Sequence, residues 1–586
     1  MLTNLKHVWD LESIFPGGSE SPQLAAYIEE ISRDIDKLAK DVQAKIDDWP
    51  AFVERMQNLG GRLSEAGAFI GCLNAQNVKD TQAKLLAGKL QQLRAAYGSV
   101  QTSVDRQLLA IPNQEWQELL KDLAPLAFNL EERRQWAADE MPEAQEKLAN
   151  DLAVDGYHGW SDLYNIITGR MQIPFKKDGK DQELSVGQAQ NVFSDADPEV
   201  RHAMAEKWEQ AWSKEAELCA GALNHLAGFR LNLYRHRGWD KVLKEPLEYN
   251  RMSNATLDAM WSTIDANKDI FVKYLERKGK LLGLEKLGWF DLHAPVGKSA
   301  KTYSYDEGAT FVMEQFGKVS PKMAAFAEKA FRNSWVEVED RSGKRQGAFC
   351  TSLPMSGQTR VFMTYSGSAN SVSTLAHELG HAFHQSVMTD LPLMCQRYAM
   401  NVAETASTFA EMVVADAAVQ NATSKDEKIA LLGGKVGNSI SFFMDIHSRF
   451  LFETSFYEAR RRGPVSVDQL NDLMLTAQKQ AFRDSLNTWH PHFWCSKLHF
   501  YITAVPFYNF PYTFGYLFSA GVYAMARQEG KNFEQKYVDL LRDTGRMRVE
   551  DLAQRHLGVD LTKADFWQQA VDLAVADAQE FLDLTE

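Results

Sequence analysis

Ser371-Val372-Ser373-Thr374-Leu375-Ala376-His377-Glu378-Leu379-Gly380-His381-Ala382-Phe383-His384 is the stretch around which the rest of the chain can be read. It holds the pattern H-E-x-x-H, with His377, Glu378 and His381 in the fixed positions. On a helix, residues four apart lie one turn apart on one face, so both imidazoles can reach a shared metal ion and the glutamate a water on that ion. At about 100° per residue, His377, His381 and His384 fall within about 60° of one another. Leu375, Leu379, Ala382, Phe383 and Ser386 fall on the other side. The expectation is a helix with a buried back and a histidine front, capped by Ser373 and stopped near Asp390-Leu391-Pro392. Two core histidines would give the same pattern, so its meaning depends on what the remaining chain supplies.

The chain has 586 residues, 45% of them hydrophobic and 24% charged, which is enough for a large folded core. Its net charge of -14, with no basic block, argues against nucleic acid or an anionic membrane as partner. Cys72, Cys219, Cys350, Cys395 and Cys495 are widely spaced and form no C-x-x-C pair. That suits reduced thiols in a cytoplasmic protein and excludes a cysteine metal site. The N-terminal Met1-Leu2-Thr3-Asn4-Leu5-Lys6-His7-Val8-Trp9-Asp10-Leu11 has no apolar core behind a basic start, and no run of 18 apolar residues occurs. Neither a signal peptide nor a membrane span is expected.

From Ser21 to Gln145 the text reads as long amphipathic helices. Leu24, Ile28, Ile31, Ile35 and Leu38 recur at helical spacing, as do Leu85, Leu86, Leu90, Leu93 and Tyr97. Between Asn165 and Leu184 the pattern changes, and Lys177-Asp178-Gly179-Lys180 signals the turn of a short strand pair. Helix resumes over Pro198–His236 and Asn254–Leu282, with a connector from Gly283 to Lys301. Val336-Glu337-Val338, Gly347-Ala348-Phe349-Cys350-Thr351 and Arg360-Val361-Phe362-Met363-Thr364-Tyr365 predict a small sheet leading into the histidine helix. An edge strand there could pair with an extended peptide or simply brace the helix. Nearly everything after His384 reads as helix. The fold class is therefore mostly α, divided as an N-terminal helical lobe with a short hairpin (1–195) and a second domain (196–586).

A catalytic zinc site commonly takes three protein ligands. A third histidine ten residues after His377 is missing, since that position is Val387. A carboxylate on the next helix is the better candidate. Asn401-Val402-Ala403-Glu404-Thr405-Ala406-Ser407-Thr408-Phe409-Ala410-Glu411 supplies two, seven apart and two turns apart on one face. A carboxylate in so apolar a segment is costly unless paired or metal-bound. Glu404 is assigned as ligand and Glu411 as acceptor for a histidine N–H, with the reverse assignment open. His499-Phe500-Tyr501-Ile502-Thr503-Ala504-Val505-Pro506-Phe507-Tyr508-Asn509-Phe510-Pro511-Tyr512-Thr513-Phe514-Gly515-Tyr516 is dense in phenols. It reads either as a packed aromatic segment or as a source of donors for an oxyanion.

Taken together, His377-Glu378-Leu379-Gly380-His381, Glu404 and the His499…Tyr508…Tyr512 block resemble the M3 family of zinc peptidases. Thr374-Leu375-Ala376 before the motif and the early Trp9-Asp10-Leu11 are most similar to its oligoendopeptidase F branch. The resemblance implies a two-lobed helical ellipsoid with a deep channel and one zinc ion per chain. It implies endopeptidase cleavage of short peptides, with His377, His381 and Glu404 holding the zinc; a monomer is expected, with a homodimer as the alternative. Glu378 would be the acid/base, and His499, Tyr508 and Tyr512 would contact the substrate or transition state. The aromatic block departs from the thimet oligopeptidase branch: it is longer and lacks the glycine expected before its first tyrosine, so Tyr501, Tyr508, Tyr512 and Tyr516 all remain candidates. An acidic residue expected near Ser371 is also absent. Cobalt or manganese would suit the same donors. A zinc carboxypeptidase on a similar scaffold, or a non-catalytic peptide-binding protein with a structural metal, are the alternative functions.

Overall fold

A computed structural model describes every residue except 1, 45, 178 and 298–301, and residue 177 by its backbone alone. Helices dominate and the strands are short. Contacts divide the chain into two compact units, each drawn from three stretches: Met1–Asp139, Lys301–Ala417 and Val522–Val559 in one, Glu140–Ala300, Ala418–Gly521 and Asp560–Glu586 in the other. No helix among the described residues is long and apolar enough to cross a membrane.

In the first unit, helices Pro22–Gln43, Trp49–Gln76 and Thr81–Ala110 start at Ser21, Asp48 and Asp80, whose side chains each accept a backbone N–H of the first turn. Leu24, Ile28, Ile31, Ile35 and Leu38 form the buried stripe of the first helix. In the third helix Leu90 and Tyr97 are buried, whereas Leu85 is 66% exposed. The core they build also takes in Trp9, Leu353, Phe362 and Cys395. The N-terminal helices therefore share one core with residues of the 196–586 stretch.

Leu353 and Phe362 come from a three-stranded sheet of β3 (Val336–Glu337), β4 (Phe349–Leu353) and β5 (Gln358–Phe362), in the order β3-β5-β4. β3 runs parallel to β5 and β4 antiparallel to it, with Cys350 opposite Val361. The N-terminal segment covers the β3 side: Asp10 N–H donates to Ser334 O at 2.7 Å and Val338 N–H to His7 O at 2.8 Å. The buried Arg360 guanidinium fastens the same segment by donating to Asp10 O at 2.6 and 2.9 Å. β4 is left as the outer strand. The H-E-x-x-H helix, Ala369–Ser386, packs on β4 and β5.

The second unit is built on the 39-residue helix Pro198–His236, with helices Lys425–Ile440, Ile446–Arg460, Val467–Ala481 and Ala564–Leu584. It carries the expected hairpin of β1 (Ile173–Lys177) and β2 (Lys180–Leu184), paired from Ile173↔Leu184 to Lys177↔Lys180. Asp178 of its turn and residues 298–301 of the expected connector lie outside the described residues.

Three expectations are corrected. Asn165 to Arg170 is the end of helix Gly159–Arg170, not extended chain; Ile166 faces out and Ile167 in, as helical geometry requires. The Asn254–Leu282 run breaks at Asn267 into Asn254–Ala266 and Lys268–Leu281. The H-E-x-x-H helix begins at Ala369 with Ser368 as its cap, not Ser373. Ser368 Oγ accepts the Ser371 N–H at 3.2 Å, and the hydroxyls of Ser366, Ser368 and Ser371 bond to one another.

Candidate metal centre

The back of the H-E-x-x-H helix, Leu375, Leu379, Ala382 and Phe383, is fully buried, which fixes the direction of its opposite face. On that face the His377 and His381 rings stand edge to face, centroids 4.9 Å apart. Glu404 completes the group: its Oε2 lies 3.3 Å from His377 Nε2 and 3.5 Å from His381 Nε2. One donor atom from each of the three falls within 4.8 Å of the others. Donors at about 2.1 Å from a tetrahedral zinc stand about 3.4 Å apart, so the carboxylate–imidazole spacings fit such an ion.

Glu404 sits at a break between helix Met400–Ala403 and helix Thr405–Gln420, with φ −84° and ψ 1°, instead of inside one continuous helix. Ser407 Oγ donates to its Oε2 at 2.7 Å and pins the carboxylate. Glu411 Oε2 accepts from His377 Nδ1 at 3.3 Å, which leaves Nε2 turned toward Glu404. His381 is oriented in turn by a hydrogen bond to the Ala403 backbone. Neither Ser407 nor the break was apparent from periodicity; the only signal was a hydroxyl three residues beyond an acid.

Charge at the centre is strongly biased. Burial opposes protonation of His377, but the Glu411 hydrogen bond and the Glu404, Glu411 and Glu378 charges outweigh it and push its pKa up to about 9. Burial and the neighbouring His377 push His381 down to about 4, against the pull of Glu404. The carboxylates thus draw positive charge to His377, while burial keeps His381 neutral. Glu378 is 6% exposed, and its Oε2 is buried with no hydrogen-bond partner. Burial raises its pKa to about 7, with His377 opposing and Glu404 adding. On β4, burial and then the Glu378 charge raise the Cys350 thiol, so the outer strand runs beside this carboxylate.

His384 does not join the group. It is fully buried, its Nε2 meets Leu541 O at 3.1 Å and Thr544 Oγ1 at 2.9 Å, and its ring stacks on Tyr398 at 4.2 Å. Its angle on the helix matches that of His377, but seven residues at 1.5 Å place it about 10 Å further along the axis.

Gly380 allows the segments that carry His377, His381 and Glu404 to meet. A Cβ there would lie 2.5 Å from Ala406 O and 2.6 Å from Ser407 Cα, both backbone atoms. Gly380→Ala is expected to force the segments apart, costing about 1–3 kcal/mol and weakening metal binding. Urea unfolding and metal titration check this, and an unchanged unfolding midpoint would contradict it.

The aromatic block lies in the second unit. His499, Tyr508 and Tyr512 form one cluster, with centroids 5.5 Å (His499–Tyr508), 6.3 Å (His499–Tyr512) and 5.7 Å (Tyr508–Tyr512) apart. Tyr501 is elsewhere, fully buried and stacked on Tyr164 at 3.7 Å. Tyr516 shares a hydrogen bond with Ser439 Oγ at 2.9 Å and stacks on Phe442. Phe507, just before Tyr508, has the conformation a glycine favours, φ 52°; its N–H bonds to the buried Glu453 carboxylate, which holds the loop. Burial, then Arg449 and Lys497, push His499 down to about 4 against Asp445, and its Nδ1 is buried without a partner.

A sequence profile of peptidase family M3 matches residues 192–573, and one of oligopeptidase F matches 107–173. The chain belongs to peptidase family M3. By that membership it is a metalloendopeptidase, on the oligoendopeptidase F branch. It is similar to an oligoendopeptidase F homolog of Lactococcus lactis subsp. lactis (strain IL1403), 21% identical over 97% of this chain and 95% of that one. Among solved structures it is similar to a proposed peptidase from Chlamydophila abortus (TM-score 0.84, 18% identity, 99% and 98% of the two chains). The oligoendopeptidase-F from Enterococcus faecium is also similar (TM-score 0.70, 16% identity, 96% and 98%). These last two likenesses carry the fold.

Proposed function

We propose that this M3 member cleaves internal peptide bonds of short oligopeptides, with one zinc ion held by His377, His381 and Glu404. The observation that carries the proposal is the two-imidazole, one-carboxylate group beside a buried glutamate whose Oε2 has no partner. Zinc, when bound there, supplies Lewis acidity toward a carbonyl and lowers the pKa of a water toward neutrality. Glu378 accepts the proton of the attacking water and delivers it to the leaving amine. An extended substrate pairs with β4, a role supported by that strand's outer position and its closeness to Glu378. His499, Tyr508 and Tyr512 donate to the oxyanion; their shared cluster, and the packing of Tyr501 and Tyr516 elsewhere, support this choice. The 196–586 stretch, which holds all these residues, is proposed as the catalytic domain.

An internally quenched peptide blocked at both ends tests this reading. Cleavage is expected, with loss on chelation and recovery on adding zinc. Tyr508→Phe and Tyr512→Phe should each lower kcat by about 10–1000-fold with little change in KM. Cleavage that survives chelation, or phenylalanine variants with full kcat, would contradict the corresponding assignment.

A further inference from the structure

A cavity of about 490 Å³ lies within the second unit, and none of the metal-centre residues lines it. Its size falls among small-molecule sites, about 300–1,000 Å³. Tyr274 and Trp289 supply aromatic wall, and Lys278, His293, Gly437 and Lys497 bring the features that distinguish it.

Two ammonium groups border the cavity without a dedicated counterion. Lys278 is 5% exposed and spends one hydrogen on Leu292 O, at 2.8 Å. Lys497 Nζ lies 5.0 Å from the centroid of the Phe493 ring, and among the described residues it forms no hydrogen bond or ion pair. The nearby acids are already engaged. Asp445 is bound by Arg449, with Nε at 3.2 Å from Oδ1, and Asp291 by Arg201 at 2.8 Å. His293 lies where both lysine charges are felt; burial lowers its pKa, the lysines and Arg449 add to this, and Asp445 opposes. Burial brings both lysines down to about 8, so each still carries charge near neutrality. A buried ammonium beside an aromatic wall is costly unless an anion pairs with it.

We propose that this cavity binds a small carboxylate with an apolar body, its carboxylate paired with Lys497, its body against the aromatic wall, and Lys278 adding positive charge to the same cavity. A free carboxylic acid and the C-terminal residue of a peptide share that chemistry. The inference stands on the cavity and does not rest on the assignment of the metal centre.

N-acetylphenylalanine and N-acetylphenylalaninamide, titrated by calorimetry into the full chain with and without chelator, test it. The acid should bind saturably in both states, and the amide about tenfold or more weaker. Lys497→Met should weaken the acid about tenfold and leave the amide unchanged. Gly437→Leu should abolish binding of the acid with the unfolding temperature kept, because a Cβ at Gly437 meets no atom within 4 Å and its side chain enters open space. With chelator present, N-acetyl-Ala-Ala-Phe binding as tightly as N-acetylphenylalanine assigns the site to peptide ends; loss of binding on lengthening assigns it to free acids. Equal binding of acid and amide overturns the proposal. So does absence of saturable acid binding, or binding that vanishes on chelation but survives Gly437→Leu.

Discussion

Glu378→Gln is expected to lower kcat on a blocked peptide by about 10³-fold or more while leaving the zinc content unchanged. The carboxylate is 6% exposed on a helix whose opposite face is packed, so an isosteric amide occupies its place without disturbing the fold. Glu378 is not one of the three clustered donors, so metal occupancy is expected not to depend on it. An amide cannot accept the proton of the attacking water or return one to the amine. Since Oε2 has no partner, no hydrogen bond within the protein is broken by the change, and lost turnover then reports chemistry and not folding. Single-turnover kinetics with metal analysis on the same sample decide the matter. Full turnover by the variant would remove Glu378 from the mechanism.

The His377–His381 pair was legible because one helical turn is a rigid ruler, and a buried back at Leu375, Leu379 and Phe383 orients it. The same ruler misplaced His384, since angle alone ignores travel along the axis, and the carbonyl of Leu541 claims that imidazole. Glu404 was identifiable as a carboxylate too costly to bury alone, but its helix break was not; apolar residues on both sides hide a backbone irregularity. Gly380 shows a further limit. Its lack of a side chain is plain in the text, whereas the reason, a backbone crossing at Ala406 and Ser407, comes from a segment more than twenty residues away. Among the tyrosines, sequence spacing could not choose. Tyr508 and Tyr512 separate from Tyr501 and Tyr516 only through partners such as Tyr164 and Ser439, which are distant in sequence. Helix starts at Ser21, Asp48 and Asp80 follow from local chemistry. The cap at Ser368 competes with two other serines, and the sequence alone favoured the wrong one.

Glu404→Ala is expected to abolish tight zinc binding, whereas Glu411→Ala should weaken it only about 10–100-fold. Glu404 Oε2 stands 3.3 and 3.5 Å from the two imidazole nitrogens, so its removal leaves two neutral donors and no anionic one. Glu411 touches the far nitrogen of His377, and its loss frees a ring to rotate without taking a donor away. Stability supplies a second readout. An ion at about a thousand times its Kd stabilises the folded chain by about 4 kcal/mol, seen as a rise in Tm when zinc is added. The wild type and Glu411→Ala should show that rise, the latter at higher zinc concentration, and Glu404→Ala should show none. The apo form of Glu404→Ala should itself unfold at a lower temperature, because the carboxylate accepts from Ser407 and faces the protonated His377; the rise on adding zinc, and not the apo temperature, is the readout. Full occupancy and an intact Tm rise in Glu404→Ala, together with loss of both in Glu411→Ala, would exchange the roles of the two acids.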